Sequence, residues 1–315
     1  MRRIQLPQRS QGEPEPWTPK LVTAFSRSGL GPLTIRTYRY DINLFVQWFQ
    51  EKNGAPLVLS QLSAVDLLSY RQYLINLARV KPATINQRLQ ALRWLGRWAS
   101  RAGLVAEDPS AELKSVPLPR TRQPAALSEP EVHALLRTAG SFSRGQARRN
   151  YALVQLLLQT GLRVGEVVRL RQEEVCLQSR SGHVQVRFGK GEKERQVPLN
   201  ASVRRALRLY LDTRPEVGAA ESFFLSDRGQ VLSVRSIQAM VHSLARRAKV
   251  TRIPVSPHTL RHTFALSYLR QHPGQLVELA YLLGHDSLDT TAIYTHPSAE
   301  DLAEDLEQSP LNVYG

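Results

Sequence analysis

The sequence predicts two domains, an all-helical N-terminal one followed by a mixed α/β, mainly helical one with a small antiparallel sheet. Three observations carry this. Apolar residues recur at three- and four-residue spacing through the first hundred positions. A segment rich in proline and cations, LKSVPLPRTRQPAALS (113–128), then breaks the pattern without any apolar period. Beyond it, two alternating runs, HVQVRF and ERQVPL, sit among further helical patterns and are joined by Gly-Lys-Gly-Glu-Lys, which reads as a hairpin. A length of 315 residues suits two domains of ordinary size.

Taken in order, residues 1–30 lack clear periodicity and read as a basic, flexible or loosely docked arm. A helix fits TIRTYRYDINLFVQWFQEKN, with Ile35, Tyr38, Ile42, Phe45 and Phe49 on one side and Asn53-Gly54 as the stop. A second follows Ser63, where Asp66 completes a capping-box pattern. A third fits PATINQRLQALRWLGRWASRAG, with Ile85, Leu89, Leu92 and Ala99 as its apolar stripe and Trp98 alongside. The opposite stripe is Asn86, Gln90, Arg93, Arg97 and Arg101. Such a face is either simply solvated or spaced to track a phosphate backbone. The first domain is placed at 31–114 and the linker at 115–127. Ser128-x-x-Glu131 opens the second domain, 128–298, with another capping box. NYALVQLLLQT is a buried helix stopped by Gly161, and helices follow the hairpin near 202–212, 234–248, 258–271 and 275–283. Residues 299–315 form an acidic tail.

Composition narrows the function. No apolar run approaches the ~20 residues of a membrane span, and the start has two arginines but no apolar core of a secretion signal. The single Cys176 excludes an internal disulfide framework and a cysteine-rich zinc site. The expectation is a soluble protein that is cytoplasmic or nucleoid-associated. The net charge of +15 is unevenly spread: all 42 basic residues lie in 1–270 against 19 acids, so that body carries +23, whereas 271–315 holds eight acids and no cation. Clustered cations on this scale point to nucleic acid rather than to a solubilising surface, which mixes signs.

Four segments of the second domain each carry a group suited to phosphoryl chemistry. TGLRVGEVVRL places Arg163 after a helix break; FGKGEKER places Lys190 at a hairpin tip; SPHTLRHTFA puts His258 and Arg261 one helical turn apart; LLGHDSLDTTAIYTH holds His285 and, nine residues on, Tyr294. Breaking a DNA strand without a metal calls for this set. Guanidinium forks bind the non-bridging oxygens of the phosphodiester. A phenol of pKa ~10 needs a base or a cationic site before it attacks. A leaving oxygen needs a proton, which a lysine can give. Each piece alone has an ordinary structural explanation: a surface helix pair, a solvated turn lysine, a helix cap, a core histidine, a core tyrosine. GKGEK is not a phosphate-binding Walker loop.

Together, in this order and spacing, these four stretches resemble the catalytic domain of the tyrosine recombinases, the phage integrase family, and most of all its bacterial Xer-like members. More loosely, PLTIRTYRYDINLFVQWF and ATINQRLQALRWLGRWA resemble the family's helical core-binding domain. The likeness spans roughly residues 30–300. It implies a site-specific recombinase that cleaves and rejoins DNA through a 3′-phosphotyrosyl bond, with no cofactor. Arg163 and Arg261 match the phosphate-binding arginines, Lys190 the lysine that protonates the 5′ oxygen, and His258 the group acting on the nucleophile's proton. His285 matches the position that orients the phosphate, Tyr294 the nucleophile, and Glu166 a supporting acid. Thr34, Arg36, Arg39, Lys81 and Thr84, at the starts of the first and third helices, join the polar stripe as candidate DNA contacts. The partners implied are double-stranded DNA and further copies of the chain, two per site and four in the synapse, with the acidic tail as the link. A second recombinase or an accessory DNA-bending protein would be a possible addition. The same chemistry would also serve a type IB topoisomerase, and a silent DNA-binding regulator is the non-enzymatic alternative. Two departures stand out: Gly165 where Xer-like proteins often carry serine, and a longer interval between Arg163 and Lys190, assigned to the inserted SRSG.

Overall fold

The computed structural model describes residues 18–118, 124–141, 144–187, 194–214, 222–285, 287–295 and 307. The chain divides into two compact units, residues 1–120 and 121–315.

Within the described residues, the first unit is built of α1 (Thr18–Arg27), α2 (Pro32–Asn53), α3 (Ala64–Asn76) and α4 (Pro82–Arg101). Pro32 starts α2, and Gly54 ends it in the left-handed conformation (φ 67°) that glycine adopts without strain. The expected capping box of α3 forms. Ser63 N–H donates to the Asp66 carboxylate (3.0 Å), and Asp66 N–H donates back to Ser63 Oγ (3.3 Å). The predicted stripes of α2 and α4 meet in a core of Ile42, Phe45, Leu67, Tyr70, Leu74, Ile85, Leu89, Leu92 and Ala99.

Two sequence expectations are corrected here. Residues 18–27 are not an arm: α1 buries Leu21 and Phe25 in this core, and Phe25 stacks on Trp94 with centroids 4.2 Å apart. One turn separates the two apolar residues, too short a pattern to read as periodicity. Residues 1–17 lie outside the described ones. The polar stripe of α4 is also not a uniform phosphate-tracking face. The Asn86 amide donates to Val116 C=O (2.9 Å) and accepts from Val116 N–H (2.7 Å). Arg93 donates to Leu113 C=O and to Ser115 Oγ, and to Gln90 Oε1 (3.1 Å). These side chains satisfy the backbone of the segment that leaves the unit, so Asn86 and Arg93 act as brackets. The expected linker shrinks accordingly, because 115 and 116 are held on α4. Arg36, Arg39, Lys81, Arg97 and Arg101 remain exposed, and Thr34 and Thr84 are half-buried.

In the second unit, α5 (Glu129–Ala139), α6 (Arg144–Thr160) and α7 (Val164–Arg169) precede the strands β1 (Val175–Leu177), β2 (Gly182–Val186) and β3 (Arg195–Pro198). Then come α8 (Ala201–Leu211), α9 (Val234–Arg247), α10 (Pro257–Gln271), α11 (Leu276–Leu283) and the single turn α12 (Asp289–Ala292). The Ser128–Glu131 cap is present (2.8 Å). Leu127, expected in the linker, is buried, and its N–H donates to Thr263 Oγ1 (3.0 Å). Helix α6 is the axis of the core, burying Ala152, Leu153, Val154, Leu156, Leu157 and Leu158, with α8 and α10 packed on it.

The predicted hairpin is β2 and β3, antiparallel with Val184 opposite Val197. Val184, Val186, Arg195 and Val197 turn inward, the alternation that the pleat imposes. A third strand, β1, extends the sheet in the order β1-β2-β3. Its three residues carry too little pattern to be read from sequence. Gln178 N–H donates to Ser181 C=O (3.0 Å), so the SRSG insertion supplies the β1–β2 turn. The hairpin tip, 188–193, lies outside the described residues. No helix among the described residues is long and apolar enough to cross a membrane.

Candidate active site

Helix α6 ends at Thr160, and Gly161 follows with φ +63°. That left-handed turn aims the Gly161 carbonyl at Arg261, whose Nη1 donates to it at 2.6 Å. A Cβ at 161 would lie 2.4 Å from Phe264 Cδ1 and 2.7 Å from Leu283 Cδ2. Both the conformation and the space therefore demand glycine. Gly161→Ala is expected to cost on the order of 1–3 kcal/mol through strain and overpacking. A clear fall in melting temperature checks this; an unchanged one would contradict it.

Arg163 is the N-cap of α7, and Glu166 in the first turn accepts from Arg163 N–H (2.7 Å) and from its Nη1 (3.2 Å). Glu166 is buried and also takes a two-point bond from Arg195 on β3, at 3.2 and 3.0 Å. Burial raises the Glu166 carboxyl, but Arg195 and then the Arg163 contacts outweigh it, and its pKa stays below the ordinary value. Glu166 is thus an ionised anchor between two guanidinium groups. Gly165 imposes nothing, since a Cβ there would meet open space.

Both phosphate-binding candidates reach the turn after α11. Arg163 Nη2 donates to Gly284 C=O (2.7 Å), and Arg261 Nη2 donates to Leu283 C=O (2.8 Å). Gly284 takes the left-handed cap position of α11 (φ 64°) that turns this carbonyl pair toward the arginines. Arg261 is only 4% exposed; Arg163 keeps 39% of its side chain open. Burial, with repulsion from Arg163, lowers Arg261 to about 10, still cationic at neutral pH.

His285 Nε2 lies 2.8 Å from Arg261 Nη2, and its Nδ1 lies 2.7 Å from Thr291 Oγ1. A guanidinium only donates, so Nε2 accepts here and the neutral ring carries its proton on Nδ1, toward Thr291. In this arrangement a hydrogen bond from His285 to an anion requires a protonated ring or release from Arg261. His258, in the first turn of α10, still reaches solvent. Partial desolvation, then the charges of Arg261 and Arg163, hold its imidazole below the ordinary range.

Tyr294 is 4% exposed and packs with Ala265, Leu279 and Leu283. Its hydroxyl is 2.8 Å from Nδ1 of His262, one turn beyond His258 on α10. Burial raises the phenol above its ordinary value, and Arg261 and Arg163 pull it back in part. Among the described residues, no group of three His, Cys, Asp or Glu side chains is placed to hold a metal ion. The arrangement therefore gathers two braced guanidiniums, three imidazoles and a phenol, which suits attack on an anionic phosphodiester. Lys190 lies outside the described residues.

Comparison with known proteins decides the family. Residues 125–301 match the phage integrase family, and residues 18–102 match the phage integrase N-terminal SAM-like domain. The chain is a member of the phage integrase family of tyrosine recombinases. It is 36% identical over 280 residues to the tyrosine recombinase XerD of Ralstonia nicotianae, covering 87% of each chain. It is 34% identical to the tyrosine recombinase XerC of Pelobacter propionicus, covering 87% of this chain and 88% of the other. Among solved structures, the XerA recombinase shares 27% identity at a TM-score of 0.52, covering 93% of this chain and 97% of that one. XerH bound to a palindromic difH substrate shares the fold at a TM-score of 0.73 and 24% identity, covering 88% and 80%. The protein is thus a site-specific DNA recombinase of the tyrosine type.

Of the site residues expected from sequence, the structure brings Arg163, Glu166, Arg261, His285 and Tyr294 to one end of the recombinase's second unit, with His258 on the same helix. Sequence reasoning missed three others. His262 adjoins Arg261 in the HTLRH stretch, so its side chain was legible but its partner, 32 residues on, was not. Arg195 reads from sequence as a strand residue beside the Gly-rich turn, and its carboxylate partner on α7 leaves no local signal. Thr291, on a single turn of helix, accepts the Nδ1 proton of His285.

Proposed function

We propose that Tyr294 is the nucleophile of this recombinase, and that its hydroxyl attacks the scissile phosphorus to leave a 3′-phosphotyrosyl bond and a free 5′ hydroxyl. The observation that carries this reading is the Tyr294 hydroxyl held on α10 one residue beyond Arg261, while both arginines grip the turn that leads into the tyrosine segment. Arg163 and Arg261 stabilise the charge that builds on the non-bridging oxygens, already fixed in place before DNA arrives. Glu166 holds Arg163. His285 orients the phosphate through its ring, and His258 serves proton movement at the same site. Lys190 protonates the leaving 5′ oxygen.

On the first unit, Thr34, Arg36, Arg39, Lys81, Thr84, Arg97 and Arg101 contact DNA, and Gln90 contributes beside its bond to Arg93. Two copies occupy each site and four form the synapse, coupled through residues 299–315; the protein acts in the cytoplasm, on a mobile element or on the chromosome. A duplex selected by the protein from a random pool, then nicked next to the cleavage point, supplies the test. Covalent protein–DNA adduct on this substrate supports the enzyme reading, and its absence leaves a binding regulator. A need for two matched sites separates recombination from topoisomerase-like relaxation.

Lys190 has its own test. If it is the general acid, Lys190→Ala is expected to cleave slowly on ordinary DNA and at near-normal rate when the 5′ leaving oxygen is replaced by sulfur, because a thiolate leaves without a proton. Rescue of Arg163→Ala but not of Lys190→Ala would contradict this.

A further inference from the structure

We propose that His262, not His258, is the group that takes the proton from Tyr294 during strand cleavage and returns it during rejoining. This rests on Tyr294 being the nucleophile. The resemblance gives that proton to His258, but the geometry does not. His262 Nδ1 is within hydrogen-bond distance of the Tyr294 hydroxyl (2.8 Å), with ring centroids 5.6 Å apart, in a pocket closed by Ala265, Leu279 and Leu283. His258 sits one turn earlier on α10, open to solvent, with no bond to the phenol among the described residues. A base has to lie within hydrogen-bond reach of the proton it removes, and His262 does.

The charge environment agrees. The groups that face the pair are His258 and Arg261 from α10 and Arg163 from the start of α7. Desolvation, then His258 and Arg261, keep His262 below the ordinary imidazole value, so it is neutral at neutral pH and its Nδ1 lone pair is available. The neutral ring then carries its own proton on Nε2 and accepts from Tyr294 at Nδ1. In cleavage the O–H proton passes to Nδ1, Oη bonds to phosphorus, and the P–O5′ bond breaks with the proton from Lys190 going to O5′. In rejoining the 5′ hydroxyl gives its proton back to Lys190 as its oxygen attacks phosphorus, the Oη–P bond breaks, and the His262 imidazolium gives its proton to the leaving phenol oxygen. No oxidant, metal or other reactant enters.

His262→Asn places an amide where Nδ1 was; it can hydrogen-bond to Tyr294 but cannot take its proton. The test follows adduct formation on the nicked duplex from pH 5.5 to 9, under single-turnover conditions. Unmodified recombinase is expected to hold its plateau down through the ordinary imidazole value and to decline only at more acid pH, as His262 gains a proton. His262→Asn is expected to be slower by about 10²- to 10³-fold at neutral pH, with a rate that keeps rising into alkali as the phenol ionises by itself. A merely structural role is separated by a second substrate, a 3′-p-nitrophenyl phosphate end. Its joining to a 5′ hydroxyl strand expels nitrophenolate and uses no tyrosine proton. His262→Asn is expected to join it at near-normal rate. Equal loss in both reactions, an unchanged cleavage profile in His262→Asn, or loss of the acid limb in His258→Asn instead would overturn the proposal. Adduct formation by Tyr294→Phe would overturn the underlying assignment separately.

Discussion

Tyr294→Phe is expected to yield no covalent DNA adduct while binding DNA almost as tightly as the unmodified protein. The ring stays in its pocket against Ala265, Leu279 and Leu283, so packing is kept. What is lost is one hydrogen bond to His262, worth on the order of 1 kcal/mol, and the oxygen proposed to attack. Affinity for DNA comes from many phosphate contacts spread over a body of +23, and one hydroxyl adds little to that. Two other tyrosines are possible sources of an adduct. Tyr281 is exposed on α11, with its oxygen near Gln196 N–H (3.4 Å), and it makes none of the site's arginine contacts. Tyr314 lies outside the described residues. Persistent adduct in Tyr294→Phe, read on a denaturing gel, would move the nucleophile to one of these.

Arg163→Lys and Arg261→Lys are expected to slow cleavage by about 10²- to 10³-fold each, the usual effect of removing one transition-state donor. An ammonium keeps the charge but loses the planar fork. The two variants should nevertheless differ in stability. Arg163 is part-open and bonds to Glu166 and Gly284 C=O, so its replacement leaves Glu166 still paired with Arg195. Arg261 is buried and satisfies Gly161 C=O, Leu283 C=O and His285 together. A lysine there strands buried acceptors, so a fall in melting temperature is expected alongside the rate loss. Arg163→Lys is therefore the cleaner probe of chemistry. Single-turnover cleavage measured beside DNA affinity checks it: a slow rate with near-normal binding is the expected pair. A turnover within a few-fold of normal would deny Arg163 a role in the transition state.

Much of the fold was legible because local signals agreed with one another. The α2 and α4 stripes and the alternation about the hairpin each specify one face, and those faces turn toward a core, while the Ser63 and Ser128 caps mark helix starts. What escaped were the features decided by distant partners. A polar helix face reads the same whether it meets water, DNA or the backbone of a later segment. Asn86 and Arg93 turned out to hold residues 113–116, a choice made by chain topology rather than by α4 itself. Helix α1 escaped because two apolar residues one turn apart make no recognisable period.

The site was legible in the same uneven way. Residue types and spacing in four separated stretches were enough to nominate Arg163, Glu166, His258, Arg261, His285 and Tyr294. Their division of labour was not. Which imidazole touches the phenol depends on how α10 is rotated against the segment after α12, and the sequence HTLRH offers His258 and His262 equally. The anchoring of Glu166 by Arg195 crosses from α7 to β3, and nothing in either element alone predicts it.

The most direct test of the account is to map the covalent bond itself. The adduct formed by the unmodified recombinase on the nicked duplex is trimmed with nuclease and protease, and the peptide that keeps a nucleotide is sequenced by mass spectrometry. The account predicts a single modified peptide from the DTTAIYTH stretch, carrying a 3′-phosphoryl nucleotide on Tyr294. A nucleotide on Tyr281, on Tyr314 or on any serine would contradict it.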